Sequence, residues 1–242
     1  MTFNKEVFDE YLNRGLRVGK GENRESLLCV EQVIAIATGQ ELTDEPICVS
    51  SVIRNATIFL NDTKYWTSPE ARAKGLRRLA LAQLDTRTFF TTVAYTEFRL
   101  KAAIRTFKKL LPSLGEILDT DFVDDALAKI QIVTAIEQTQ DKLNQLVILL
   151  SDLRKQMYNM LKPENEISQY LVRTLWTYLI LSCDNLVDLT TVATHTISFL
   201  KIYSADKFEP GVQDQILTYV ADAIVETLIE FGHTNEVQEL WK

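Results

Sequence analysis

The chain is poor in the residues that break helices, with 8 glycines and 5 prolines among 242 residues. A sheet protein needs a turn every ten residues or so, and this supply does not provide them. Histidine is scarcer still, at two (His195 and His233), and there are three cysteines, Cys29, Cys48 and Cys183. A small, odd count excludes a disulfide framework and fits reduced thiols. No apolar run approaches the roughly 20 residues that span a bilayer; the densest, 175–181, is interrupted by Thr177. Residues 1–10 are mixed polar and lack the basic-then-apolar order of a signal peptide. The expectation is a cytoplasmic protein with no membrane contact. Also missing are a Gly-rich phosphate loop, a nucleophile elbow, zinc-ligand spacing and an EF-hand loop. No catalytic residue, cofactor or metal is expected, and an enzyme is not favoured.

What is present is helical periodicity. With 46% hydrophobic and 24% charged residues the chain can bury a core of ordinary size. Apolar residues at helical spacing place helices over 3–15, 25–38, 50–60, 68–84, 88–111, 120–161, 163–183, 186–203 and 211–231. Gly39 and Gly232 are placed to stop two of them, and 235–241 can form a last turn. Ser68-Pro69-Glu70 is the sharpest start signal: a capping hydroxyl, a proline at the first helical position and an acid in the first turn. Over 120–161 there is neither Gly nor Pro. There Ile132, Ile136, Thr139, Leu143, Leu146, Leu150, Leu153, Met157 and Met160 alternate steps of four and three, a heptad seam on a helix of roughly 60 Å. Val133, Val147 and Leu149 flank the seam, which makes the apolar face too wide for a two-stranded coiled coil and suits a bundle. The expected fold is all-α, short helices packed on or followed by a bundle of longer antiparallel helices. Pro112 and Gly115 mark the candidate boundary, with a lobe at 1–112 and a bundle at 119–242; one continuous domain is an equal reading.

Cys29-Val30-Glu31-Gln32, Gly39, Thr43-Asp44-x-Pro46-x-Cys48 and Asn61-Asp62 form a spaced pattern. It resembles a helical module that recurs in bacterial and phage proteins, in which a cysteine opens a helix and a glycine ends it. A Ser/Thr-Asp-x-Pro-x-Cys turn follows, and a later helix closes with Asn-Asp. The resemblance covers about 25–85 and implies a small cysteine-containing module, not an activity. Such sequences carry a glutamate three residues after the first cysteine; here Gln32 stands there, with Glu31 beside it. Read on their own, Thr43 and Asp44 cap a turn, and Asn61 and Asp62 end a helix. Cys29 and Cys48 lie beside apolar faces, where a thiol acts as a small hydrophobe. The sharper alternative makes them a thiol pair with a disulfide or redox role. Two cysteines with no histidine near do not complete a zinc site.

Charge is unevenly spread. The segment 72–109 holds Arg72, Lys74, Arg77, Arg78, Arg87, Arg99, Lys101, Arg105, Lys108 and Lys109 against Asp85 and Glu97, a net +8 in a chain of −7. This basic patch reads as a helix face paired to acids within the chain, as one half of a head-to-tail self-association, or as a nucleic-acid contact. His195 is expected to be packed or at the surface, and His233 to meet the carbonyl end of a helix. Asp119, Asp121, Asp124 and Asp125 gather at a helix start, where acids suit the dipole. The functional expectation is a non-enzymatic protein–protein interaction or assembly module, with a protein partner or self-association. A nucleic-acid-associated regulator using 72–109 is the alternative, and a thiol-dependent enzyme acting through Cys29 or Cys48 comes third.

Overall fold

The computed structural model describes residues 2–92, 94–115, 117–118, 120–161, 185–203 and 208–241. Among these the chain is all-α: ten α-helices, three 3-10 turns, and one isolated parallel bridge between Leu16 and Leu28. In order the helices are α1 (Lys5–Asn13), α2 (Val30–Ala37), α3 (Ser51–Asp62), α4 (Pro69–Ala82), α5 (Phe89–Thr92), α6 (Tyr95–Leu110), α7 (Thr120–Thr134), α8 (Thr139–Leu161), α9 (Val187–Tyr203) and α10 (Pro210–Glu230). Among the described residues no helix is long and apolar enough to cross a membrane.

The chain divides into two compact units, Met1–Tyr95 with Pro210–Lys242, and Thr96–Glu209. The break expected at 112–119 falls inside the second unit, where Leu111, Leu114 and Leu118 are buried.

In the first unit, α2 is buried on every side, from Val30 to Ala37. Apart from Glu31 and Gln32 its sequence is apolar, which is the signature of a helix enclosed by others. Around it pack α1, α3 and α4. Ser68 caps α4 as expected, its hydroxyl accepting from the Ala71 N–H at 3.0 Å. Pro210–Glu230 returns from the far end of the chain to lie along α4, burying Ile216, Leu217, Val220, Ile224 and Leu228. In the second unit α7 packs on α8; Phe122, Val123, Ala126, Ile130 and Val133 form one buried stripe, and Leu146, Leu150, Leu153 and Met157 the other.

Three expected helices differ. The one at 25–38 begins only at Val30, because the Asn23 side chain accepts from the Glu25 and Ser26 N–H groups, both at 3.0 Å, and holds a local turn instead. The one at 88–111 is divided between α5 and α6. The 60 Å helix is a pair, α7 and α8, turned at 135–138. Bonds from Ala135 N to Ile132 O and Ile136 N to Val133 O tighten the end of α7, and Lys142 N to Gln138 O opens α8. Folding back lets each half bury its stripe against the other, which a single rod cannot do. Ile132, the first residue of the seam, is accordingly left 70% exposed. The helix expected at 163–183, and Cys183 with it, lie outside the described residues.

Candidate functional site

The spaced pattern of cysteines, glycine and Asn-Asp sits in the first unit, where most of its polar groups fix backbone. Cys29 is the N-cap of α2, and its N–H donates to Gln32 Oε1 at 3.3 Å. That oxygen also accepts from Gly21 N at 2.7 Å, while Gln32 Nε2 donates to Gly21 O at 3.0 Å. An ionised glutamate could take the first two bonds but not make the third. Gly39, at φ 76°, ends α2, and Gln40 N returns to Ala35 O at 2.8 Å. Asn61 is fully buried; it donates to Arg17 O at 2.8 Å, and Asp62 accepts from Gly19 N at the same distance. Asp44 pairs with Lys20 at 2.7 Å, and Thr43 accepts from Glu45 N at 3.1 Å.

Behind these lies the acid that stands beside Gln32 in the pattern. Glu31 is fully buried in the first turn of α2, and Gln83 Nε2 donates to its Oε1 at 3.0 Å. Thr57 in turn donates to Gln83 Oε1 at 3.2 Å. Glu31 Oε2 has no hydrogen-bond partner among the described residues. Burial pushes its pKa up to about 8, against the opposing pull of the Gln83 bond and the Arg54 charge. The signal in the sequence was position: Glu31 falls inside Val30–Ala37, the most apolar helix of the chain.

Cys29 and Cys48 are free and buried. Burial pushes the Cys29 thiol up to about 11 and raises that of Cys48 as well. A buried, protonated thiol is a poor nucleophile.

The end of α4 is held by side chains from two other segments, the tail after α10 and the turn after α4 itself. Asn235 Nδ2 donates to Leu81 O at 2.9 Å and Leu84 O at 3.3 Å, and His233 Nε2 bonds Leu84 O at 3.0 Å. Thr86 Oγ1 donates to Gln83 O at 2.6 Å and accepts from Ser50 N at 3.0 Å. His233 therefore meets carbonyls at two helix ends, its N–H donating to Leu228 O of its own α10 at 2.9 Å and its ring bonding Leu84 O past α4. Burial pushes its pKa below the ordinary histidine value. Asp85, in the turn that follows, has φ 62°. His195 lies half-buried in α9, its Nδ1 2.8 Å from Thr191 O. Among the described residues no group of three His, Cys, Asp or Glu could hold a metal ion.

The basic segment is divided between the two units and tied within each. Arg72 is buried and donates to Leu16 O at 2.6 Å. Arg77 pairs with Asp9 at 2.6 Å and lies over the Phe8 ring, and Arg78 pairs with Asp222 at 2.9 Å. Arg87 donates to Ile47 O at 3.2 Å. On α6, Arg99, Lys101, Arg105, Lys108 and Lys109 are all half-buried. Lys101 pairs with Glu97 at 3.5 Å, and Lys108 donates to Gln131 at 2.7 Å. The unit containing both termini holds 13 basic and 18 acidic residues and the other 13 and 15, so both are acidic.

Compared with family models, curated proteins and solved structures, the chain has no match.

Proposed function

We propose that this chain is a non-enzymatic helical protein–protein interaction module whose first unit carries the recognition surface. The reading rests on how two loop tips are held. At Ile47, 55% exposed, the N–H donates to Gln40 Oε1 at 2.9 Å and the carbonyl accepts from Arg87. At Val18, 48% exposed, the neighbouring Arg17 carbonyl is fixed by Asn61 and the Gly19 N–H by Asp62. Phe59 stands half-exposed on α3, two residues before Asn61. Four polar side chains, the buried Asn61 among them, are thus spent on fixing backbone whose tips hold apolar groups in solvent. Anchors fixed in advance lose little conformational freedom on binding, which favours a protein partner.

Other features lend less support elsewhere. Buried thiols with raised pKa do not favour thiol chemistry at Cys29 or Cys48. Intrachain bonds at Arg72, Arg77, Arg78 and Lys108, in units that are both acidic, do not favour a nucleic-acid surface.

The test is a variant carrying Val18→Asp, Ile47→Asp and Phe59→Asp, compared with wild type by light scattering over a wide concentration range and by affinity capture. Wild type should self-associate or retain a stoichiometric partner, and the variant should lose it while melting at the same temperature. Identical masses and identical captured proteins would end the reading.

A further inference from the structure

Beside the end of α4 a surface cleft of about 320 Å³ opens, walled by residues that include Asp85, Thr88, Phe89, Phe231, His233 and Thr234. Among the described residues Asp85 is the one non-glycine with positive φ, at φ 62° and ψ 14°, in the left-handed region that favours glycine. Its turn is held on both sides: Asn235, His233 and Thr86 bond the carbonyls of Leu81, Gln83 and Leu84 before it, and after it Arg87 N donates to Cys48 O at 3.1 Å. A residue before a helical turn ordinarily swings its carboxylate back to cap that turn. The Asp85 side chain makes no such bond, and among the described residues it forms no ion pair. Asp85 is thus held in a left-handed turn by its surroundings, with a carboxylate at the cleft that makes neither a cap bond nor an ion pair among the described residues.

The other walls define what the carboxylate faces. Phe89 meets the His233 ring edge-on at 5.4 Å, and His233 stacks on Trp241 at 6.0 Å. The His233 Nε2 is committed to Leu84 O, and burial disfavours a charge on the ring. Thr88 and Thr234 are exposed and bring hydroxyl oxygens. Among the described residues no lysine or arginine lines the cleft. One carboxylate, aromatic rings and hydroxyl acceptors together complement a small organic cation.

We propose that this cleft binds a primary alkylammonium group, paired with the Asp85 carboxylate and seated against the rings of Phe89 and Phe231. The site uses none of Val18, Ile47 or Phe59, so it stands or falls apart from the interaction surface.

The experiment is amide NMR of the full chain titrated with n-butylammonium chloride, with 1-butanol and potassium chloride as controls. Amides of Asp85, Thr88, Gly232 and Thr234 should shift saturably with the amine and with neither control. Asp85→Asn should weaken the affinity roughly tenfold or more, as loss of a charge-assisted bond does. Thr234→Lys, at an exposed rim position, puts an ammonium of the protein's own in the cleft and should abolish binding even if the Asp85 variant misfolds. Shifts matched by potassium chloride, or affinity unchanged in Thr234→Lys, would overturn the proposal. Tighter binding of N-acetyl-lysine methylamide than of butylammonium would assign the source to a polypeptide lysine, and the reverse order to a free amine.

Discussion

Gln83, at the C-cap of α4, donates its side-chain amide across 3.0 Å to Glu31 in the first turn of α2. The bond joins two helices through the centre of the first unit, and its acceptor is an acid whose pKa burial lifts from 4.5 to about 8.

That lift sets the sign of a pH dependence. Between these two values the folded chain keeps the Glu31 proton and the unfolded chain has released it. Stability from this group is therefore full below pH 4.5 and is lost as pH rises through 8. At about 1.4 kcal/mol per pH unit between the two pKa values, the loss is on the order of several kcal/mol. Glu31→Gln preserves the shape and removes the proton. Urea melts should show its advantage over wild type widening from pH 4.5 to 8 and then levelling. Parallel stability curves over that range would assign the proton elsewhere.

Gln32 gives a second test through its two bonds to Gly21. Gln32→Glu keeps the acceptor but sets a carboxylate against the Gly21 carbonyl, where Nε2 now donates at 3.0 Å. The expected cost is about 1–3 kcal/mol at neutral pH, the penalty of a buried group left unpaired. It should shrink in acid, where a protonated carboxyl donates again. Equal urea midpoints for the two proteins at neutral pH would show that the amide hydrogen is not needed.

His233 titrates in the opposite sense. Burial holds its folded pKa below 6.5, so the unfolded chain takes up the proton first. Its contribution is present above pH 6.5 and is lost as pH falls through the lower, folded value. His233→Phe gives up the bond to Leu84 O, a cost of about 1 kcal/mol near neutrality. It should also unfold less steeply with acid below pH 6.5. A wild-type acid transition that the substitution leaves unmoved would free His233 of that role.

What the sequence made legible was whatever depends on neighbours in the chain. Ser68-Pro69-Glu70 fixed the start of α4, Gly39 and Gly232 stopped their helices, and apolar spacing located most helix centres. The failures came from competition at longer range. Nothing within 120–161 breaks a helix, yet the chain turns at 135–138 because two stripes bury more when folded together. The polar site was half visible. Cys29, Gln32, Asn61 and Asp62 stood in a pattern, whereas Gln83 gained its role only when α4 packed on α2 and α3, and Asn235 and His233 theirs when the tail closed on α4. No local spacing encodes a bond between residues 149 apart, such as that of His233 to Leu84.

Gly75 shows the same dependence on distant partners, and it yields the sharpest packing test. In the middle of α4 an alanine is worth roughly 1 kcal/mol more than glycine by helix propensity. Here an added Cβ would come within 2.4 Å of Trp66 Cη2 and 2.7 Å of Thr218 Oγ1. Trp66 is buried and its Nε1 donates to Leu60 O at 2.9 Å, so the indole cannot retreat without giving up that bond. Gly75→Ala should therefore destabilise the chain by about 1–3 kcal/mol in spite of its better propensity, the usual cost of overpacking. Adding Trp66→Leu clears the space, and the double variant should be more stable than the sum of the two single losses allows. Strictly additive losses in a urea-melt cycle would mean that the two side chains do not meet, and that α4 keeps its glycine for some other reason.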